Sequence, residues 1–130
     1  MKPAIKANLH YLLLPILVAV VHILANNQYG FHRDELDIIM NARHLDWGYV
    51  AYPPVTPLLA RISLILFGES LRGMRVFPAL GQALAVLLTM AMARDFGAKR
   101  NGQILAGLAQ FMAPIALVAG TLIQYMSFDY

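Results

Sequence analysis

Three long apolar stretches punctuate the 130-residue chain, and charged residues gather between them rather than within them. The first runs from about Leu9 to Ala25, the second from about Val76 to Ala93, and the third from about Ile104 to Met126. A helix crosses a bilayer with about 20 mainly apolar residues, within a range of about 17–25. The pattern therefore predicts an all-α, polytopic transmembrane protein with three spans at about 9–25, 76–93 and 104–126. Each stretch carries one proline: Pro15, Pro78 or Pro114. Membrane helices tolerate proline because neighbouring groups satisfy the freed carbonyls.

The segment at about 26–73 is too long and too patterned for a simple connector. It divides at Tyr52-Pro53-Pro54. Before the prolines, Leu36, Ile39 and Met40 recur at helical spacing, opposite Asp37, Asn41 and His44. After them, Val55, Leu58, Leu59, Ile62 and Leu66 repeat in the same way, with Arg61 and Ser63 on another face. Two short amphipathic helices lying at the membrane interface are expected. Trp47, Tyr49 and Tyr52 between them are residue types enriched at headgroup depth. The prolines form a rigid turn that sets the angle between the two helices.

Composition supports the membrane reading. Hydrophobic residues make up 59% of the chain and charged residues 13%, against about 45–50% and 25% in soluble domains. The mean hydropathy is +0.60. The chain has no cysteine, so disulfides, thiolate metal sites and cysteine nucleophiles are excluded. A net charge of +3 without a basic, aromatic-interleaved patch argues against nucleic acid as a partner. Lys2 and Lys6 precede the first stretch, and Arg94, Lys99 and Arg100 lie between the second and third. The positive-inside rule makes both regions cytoplasmic and places the loop at 26–73 outside, with the third span leaving near Asp129. The first stretch exceeds a signal-peptide core and lacks a small-x-small cleavage site, so it reads as a retained span.

The densest polar cluster is His32-Arg33-Asp34-Glu35, with Asp37 close behind. One reading is helix capping, with Asp34 as N-cap and Glu35 and Asp37 favouring the positive helix end. The other is a general base that takes a proton from a substrate hydroxyl. His32 and His44, twelve apart, lack the spacing that puts two metal ligands on one helical face. A divalent metal is unsupported. His10 and His22, near the ends of the first span, read as structural and able to snorkel. Arg43, Arg61, Arg72 and Arg75 border the outer interface, where they serve either lipid headgroups or the phosphate of a lipid-linked donor. Gln110 and Gln124 are expected to bond to neighbouring helices.

The run Phe31-His32-Arg33-Asp34-Glu35-Leu36, then His44 to Val50, Pro53-Pro54 and Leu58-Leu59-Ala60-Arg61 resembles the first outer loop of glycosyltransferase family 39. These are the protein O-mannosyltransferase-like and aminoarabinose-transferase-like enzymes of the GT-C membrane fold. Phe67 to Ser70, Arg75 to Ala79 and Gln124 to Tyr130 resemble bacterial members, so the similarity runs through nearly the whole chain in order. The resemblance implies a membrane glycosyltransferase. It would transfer a monosaccharide from a polyprenyl-phosphate carrier to a hydroxyl of a lipid or protein acceptor on the outer face, with inversion. It implies catalytic roles for Asp34, as base, and Glu35, and a cell-membrane location. Arg43, Arg61, Arg75 and Tyr52 are the substrate-binding candidates. Tyr52 stands where family members often carry histidine. Family members are several times longer, so the chain reads as the N-terminal part, 1–130, and is expected to be inactive alone. The alternatives are a small non-catalytic, lipid-binding membrane subunit and a transporter fragment.

Overall fold

The computed structural model describes residues 9–50 and 52–127, and all regular elements among them are helical. They are α1 (His10–Ala25), α2 (Arg33–Arg43), α3 (Val55–Phe67), α4 (Leu71–Met74), α5 (Val76–Asp95), α6 (Arg100–Met112) and α7 (Pro114–Thr121). A 3-10 turn, Tyr125–Ser127, follows. The expected basic residues Lys2 and Lys6 and the expected exit at Asp129 lie outside the described residues.

Helix α5 is the hub. It packs against α1, α6 and α7, while α2 and α3 pair with each other at one end of the bundle. Val18, Val86 and Met90 form one core, with Leu14, Ile104 and Phe111 against it. Gly107 allows the close approach: a Cβ there would lie 2.8 Å from Met90 Cγ and 2.9 Å from Leu14 Cδ2. The second core joins α2 and α3 to the chain beyond α7, through Ile38, Ile39, Ala42, Ala60, Met74 and Ile123.

Among the described residues one run, Leu71–Asp95 (α4 and α5 together), is long and apolar enough to cross a membrane. The other two expected spans depart from the simple picture. α1 has 16 helical residues, about 24 Å of helix against a hydrocarbon core about 30 Å thick. The third is broken. α6 and α7 meet at 66°, and only as one bent unit do they reach spanning length. The cause is Pro114, which offers no N–H to Gln110 and forces Ala113 into an extended conformation (φ −62°, ψ 130°). Helix ends at Thr121, five residues before the expected boundary, because residues 122–124 extend and turn towards α2.

The two loop helices are present, and each turns large apolar residues outward. On α2 the buried stripe is Glu35, Ile38, Ile39 and Ala42, whereas Leu36 and Met40 are exposed. On α3 the inward face is Thr56, Pro57, Ala60 and Ser63, and Val55, Leu58, Ile62 and Leu66 point outward. Small side chains at Ala60 and Ser63 let α3 come close to α2. Outward-facing leucines also run along α1 (Leu12, Leu13, Leu17, Leu24) and α5 (Leu80, Leu84, Leu88), while Gln82 on α5 is fully buried.

His10 and His22 do not reach an interface. Both are buried in the bundle. His10 Nε2 bonds Gln103 Oε1 on α6 at 2.9 Å. His22 packs edge-on to Phe111 and against Gly120, where a Cβ would lie 2.6 Å from the imidazole Cε1.

Candidate functional site

The site is assembled at the N-terminus of α2. The N-cap is His32, not Asp34 as the capping reading had it. The extended His32 backbone turns the chain into the helix, and its Nδ1 accepts from the Asp34 N–H at 3.4 Å. Glu35 reaches back, its Oε2 accepting from the His32 N–H at 2.9 Å. That closes the reciprocal arrangement of a capping box. Asp34 is therefore free of the capping role and sits in the first turn, where a carboxylate favours the helix dipole.

The two adjacent carboxylates have opposite environments. Glu35 is fully buried and accepts from four groups. Arg75 Nε donates to Oε1 at 2.9 Å and Arg75 Nη2 to Oε2 at 2.6 Å. The Ile123 N–H donates to Oε1 at 3.2 Å, and the His32 N–H completes the set. Arg75 also donates to the Asn26 carbonyl at 2.9 Å and the Gly30 carbonyl at 3.0 Å. This forked pair thus ties the loop after α1, the start of α2, the α4–α5 junction and the segment after α7. A buried charge requires such complete pairing.

Asp34, by contrast, has a side chain 57% exposed. Its Oδ2 accepts from Gln124 Nε2 at 3.2 Å and lies 3.7 Å from His32 Nδ1. Its Oδ1 has no hydrogen bond to a described residue. A cleft of about 790 Å³ reaches as far as its neighbour His32 but not Asp34 itself; it is bordered by Ala25, Asn26, Gln28 to His32, Arg75, Val118, Thr121 and Leu122. The lining is mostly apolar, with Arg75 and His32 at the polar edge.

One turn further along α2, Asp37 accepts from the Tyr52 hydroxyl at 3.0 Å. Asn41 Nδ2 donates to the same hydroxyl. Tyr52 stacks on Tyr125, ring centroids 6.3 Å apart at 12°, and leans on Tyr49 at 5.6 Å. Partial burial and the Asp37 carboxylate push the Tyr52 phenol above its ordinary value of 10.0. It therefore stays protonated and donating near neutral pH.

The structure brings Asp34, Glu35, Arg75 and Tyr52 into one region and leaves other sequence candidates apart. Arg43 pairs with Glu69 on the surface. Arg61 is half-buried and makes no hydrogen bond or ion pair to a described residue. Arg75 borders the cleft, but four of the five N–H groups of its guanidinium are committed, leaving one on Nη1. His32 and His44 cap opposite ends of α2, too far apart to share a metal ion. Gln124 bonds α2, whereas Gln110 bonds no described side chain. Asp37, Asn41 and Tyr125 were not singled out as site residues from sequence. The spacing Asp34, Asp37, Asn41 (i, i+3, i+7) carried the only local signal, because such positions share a helical face.

No protein-family model matches the chain, and neither does any curated protein or solved structure.

Proposed function

We propose that the chain is the N-terminal part of a GT-C-type membrane glycosyltransferase. On this reading it crosses the membrane three times, with α1, with α4–α5 and with the bent α6–α7 pair. The α2–α3 loop then lies on the outer face. The outward leucines of α1 and α5 around a buried Gln82, and the basic residues between α5 and α6, support this placement.

The observation that carries the reading is the division of labour between the paired carboxylates. Glu35 is locked by Arg75, while Asp34 keeps an uncommitted, exposed oxygen next to His32, which borders the apolar cleft. In the proposed reaction the Asp34 carboxylate takes the proton of the acceptor hydroxyl. The acceptor oxygen forms the new bond to the anomeric carbon on the face opposite the leaving group. The bond from that carbon to the phosphate oxygen breaks, and its electron pair leaves with the polyprenyl phosphate. The cleft, within the usual size range of ligand sites, would take the carrier near its phosphate. Arg75, with its one remaining Nη1 N–H, is the cation at the edge of that cleft.

The test is Asp34→Asn in the protein as its gene encodes it, assayed for transfer of labelled sugar from a polyprenyl-phosphate donor in native membranes. General-base catalysis contributes about 100-fold to 10,000-fold. A loss in that range at unchanged expression supports the enzyme. Transfer retained in the variant rejects Asp34 as the base, and absence of transfer by the wild type rejects the enzyme. A protein that binds polyprenyl phosphate in this cleft but never transfers sugar is the non-catalytic lipid-binding subunit.

A further inference from the structure

Beside Asp34 runs a strip of side chains with no structural task in common. Asp34, Asp37 and Asn41 come from one face of α2, Tyr52 from the loop before α3, and Gln124 and Tyr125 from the segment after α7. Some 90 positions of sequence separate its two sides, and the Glu35–Ile123 hydrogen bond draws them together. The strip is open to solvent, since Asp34, Asp37 and Tyr125 are all exposed.

Its chemistry is mixed in a specific way. The Tyr52 and Tyr125 rings lie nearly parallel, and Tyr125 leaves part of its ring uncovered. An aromatic face carries partial negative charge and attracts polarised C–H groups. Each carboxylate has one oxygen held, Asp34 Oδ2 by Gln124 and Asp37 Oδ2 by Tyr52. The other oxygen of each has no hydrogen bond to a described residue. The Asn41 and Gln124 amides each hold one position with a single N–H and retain a second N–H and a carbonyl oxygen. The strip therefore offers an aromatic surface, fixed acceptors and fixed donors along about two turns of α2. A hydroxyl both donates and accepts, whereas an ammonium group only donates and would leave the amide N–H groups unused. A ring with an apolar C–H face and a rim of hydroxyls matches every part of this set.

We propose that Asp34, Asp37, Asn41, Tyr52, Gln124 and Tyr125 form a pyranose-binding subsite. The assignment deepens the glycosyltransferase reading and rests on it for the identity of the sugar. Tyr125 supplies the stacking surface, and Asp37, fixed by Tyr52, accepts from ring hydroxyls. The reacting hydroxyl then falls next to Asp34. The bound ring belongs either to the carrier-linked donor or to a sugar on the acceptor.

The experiment is saturation-transfer NMR on the intact protein in nanodiscs, with two probes: a methyl hexopyranoside and a farnesyl-phosphate hexose. Saturation of ring C–H protons in the wild type is expected, with at least a fivefold loss of signal in Tyr125→Leu and in Asp37→Asn. Binding of the farnesyl-linked sugar alone makes this the donor subsite, and binding of the free glycoside makes it the acceptor subsite. Undiminished signal in both variants overturns the proposal, as does displacement of the sugar by tetramethylammonium. A diazirine-bearing pyranose gives a measurement that needs no variant to fold. Crosslinks within residues 34–41 or at Tyr125 support the subsite, and crosslinks confined to other segments overturn it. The two proposals fail separately. Sugar binding that depends on Asp37 and Tyr125 while the wild type transfers no sugar removes the enzyme and leaves the subsite. Transfer lost in Asp34→Asn, with pyranose binding indifferent to Asp37 and Tyr125, does the reverse.

Discussion

Replacing Arg75 by methionine removes the guanidinium while keeping an unbranched stem, and tests what holds the site together. Arg75 is 5% exposed and its partner Glu35 is wholly buried. The substitution deletes both Arg75–Glu35 bonds and leaves Glu35 with only the His32 and Ile123 N–H groups. It also takes the donor from the Asn26 and Gly30 carbonyls. Breaking a buried ion pair from one side costs about 3–5 kcal/mol, because the remaining charge stays desolvated. That is a large part of the roughly 5–15 kcal/mol that holds a folded protein. The surface pair Arg43–Glu69 is the internal control, since both side chains are more than half exposed. Such pairs contribute about 0–1 kcal/mol, so Arg43→Met should be nearly silent.

The assay is equilibrium unfolding in mixed micelles followed by far-ultraviolet circular dichroism, with wild type, R75M, E35Q, R43M and the E35Q/R75M double variant. R75M should lose several times what R43M loses. The double variant should recover part of that loss, because no uncompensated carboxylate remains. The reasoning is refuted if R75M costs no more than R43M, or if adding E35Q deepens the loss by its full separate effect.

Three further outcomes follow from particular contacts. Gly120→Ala places a methyl group 2.6 Å from the His22 ring, so α7 must move away from α1; a loss of about 1–3 kcal/mol in the same unfolding assay is expected, against little change for the unhindered Gly30→Ala. The raised folded-state value of Tyr52 means that its contribution to stability is complete below its unfolded value near 10 and is lost as pH climbs through the folded value; thermal unfolding between pH 9 and about 11.5 should show that decline, and Tyr52→Phe should flatten it. Because the chain lacks cysteine, Gln28→Cys and Gly97→Cys are single labelling sites; an impermeant maleimide applied to intact cells should modify the first and spare the second, and the opposite pattern refutes the outer placement of α2.

The elements were easier to read than their orientation. The apolar run at 76–93 became α5, Val76–Asp95, and the two loop helices lie where their spacing put them. The break of the third stretch was written in Pro114, but sequence alone does not say whether a proline kinks a helix or ends it. The phase of α2 was not legible, for an identifiable reason. Ranking positions by hydrophobicity selects Leu36, Ile39 and Met40 and treats Glu35 as surface. The fold instead buries Glu35 with Ile38, Ile39 and Ala42, because Arg75, 40 residues away, makes that burial tolerable.

That error bears directly on the chemistry. Successive side chains on a helix diverge by about 100°, so an Asp-Glu pair cannot present both carboxylates to one place. One must turn inward when the other faces out, and the choice is made by whichever finds a buried cation. Here Glu35 finds Arg75, and through Ile123 the same carboxylate pulls the segment after α7 against α2. That contact delivers Gln124 to Asp34 and Tyr125 to Tyr52. The inward carboxylate thus determines what surrounds the outward one. On the proposed reading, loss of transfer in R75M should therefore exceed the loss of folded protein, because Arg75 fixes the carboxylate that holds the segment after α7 against α2.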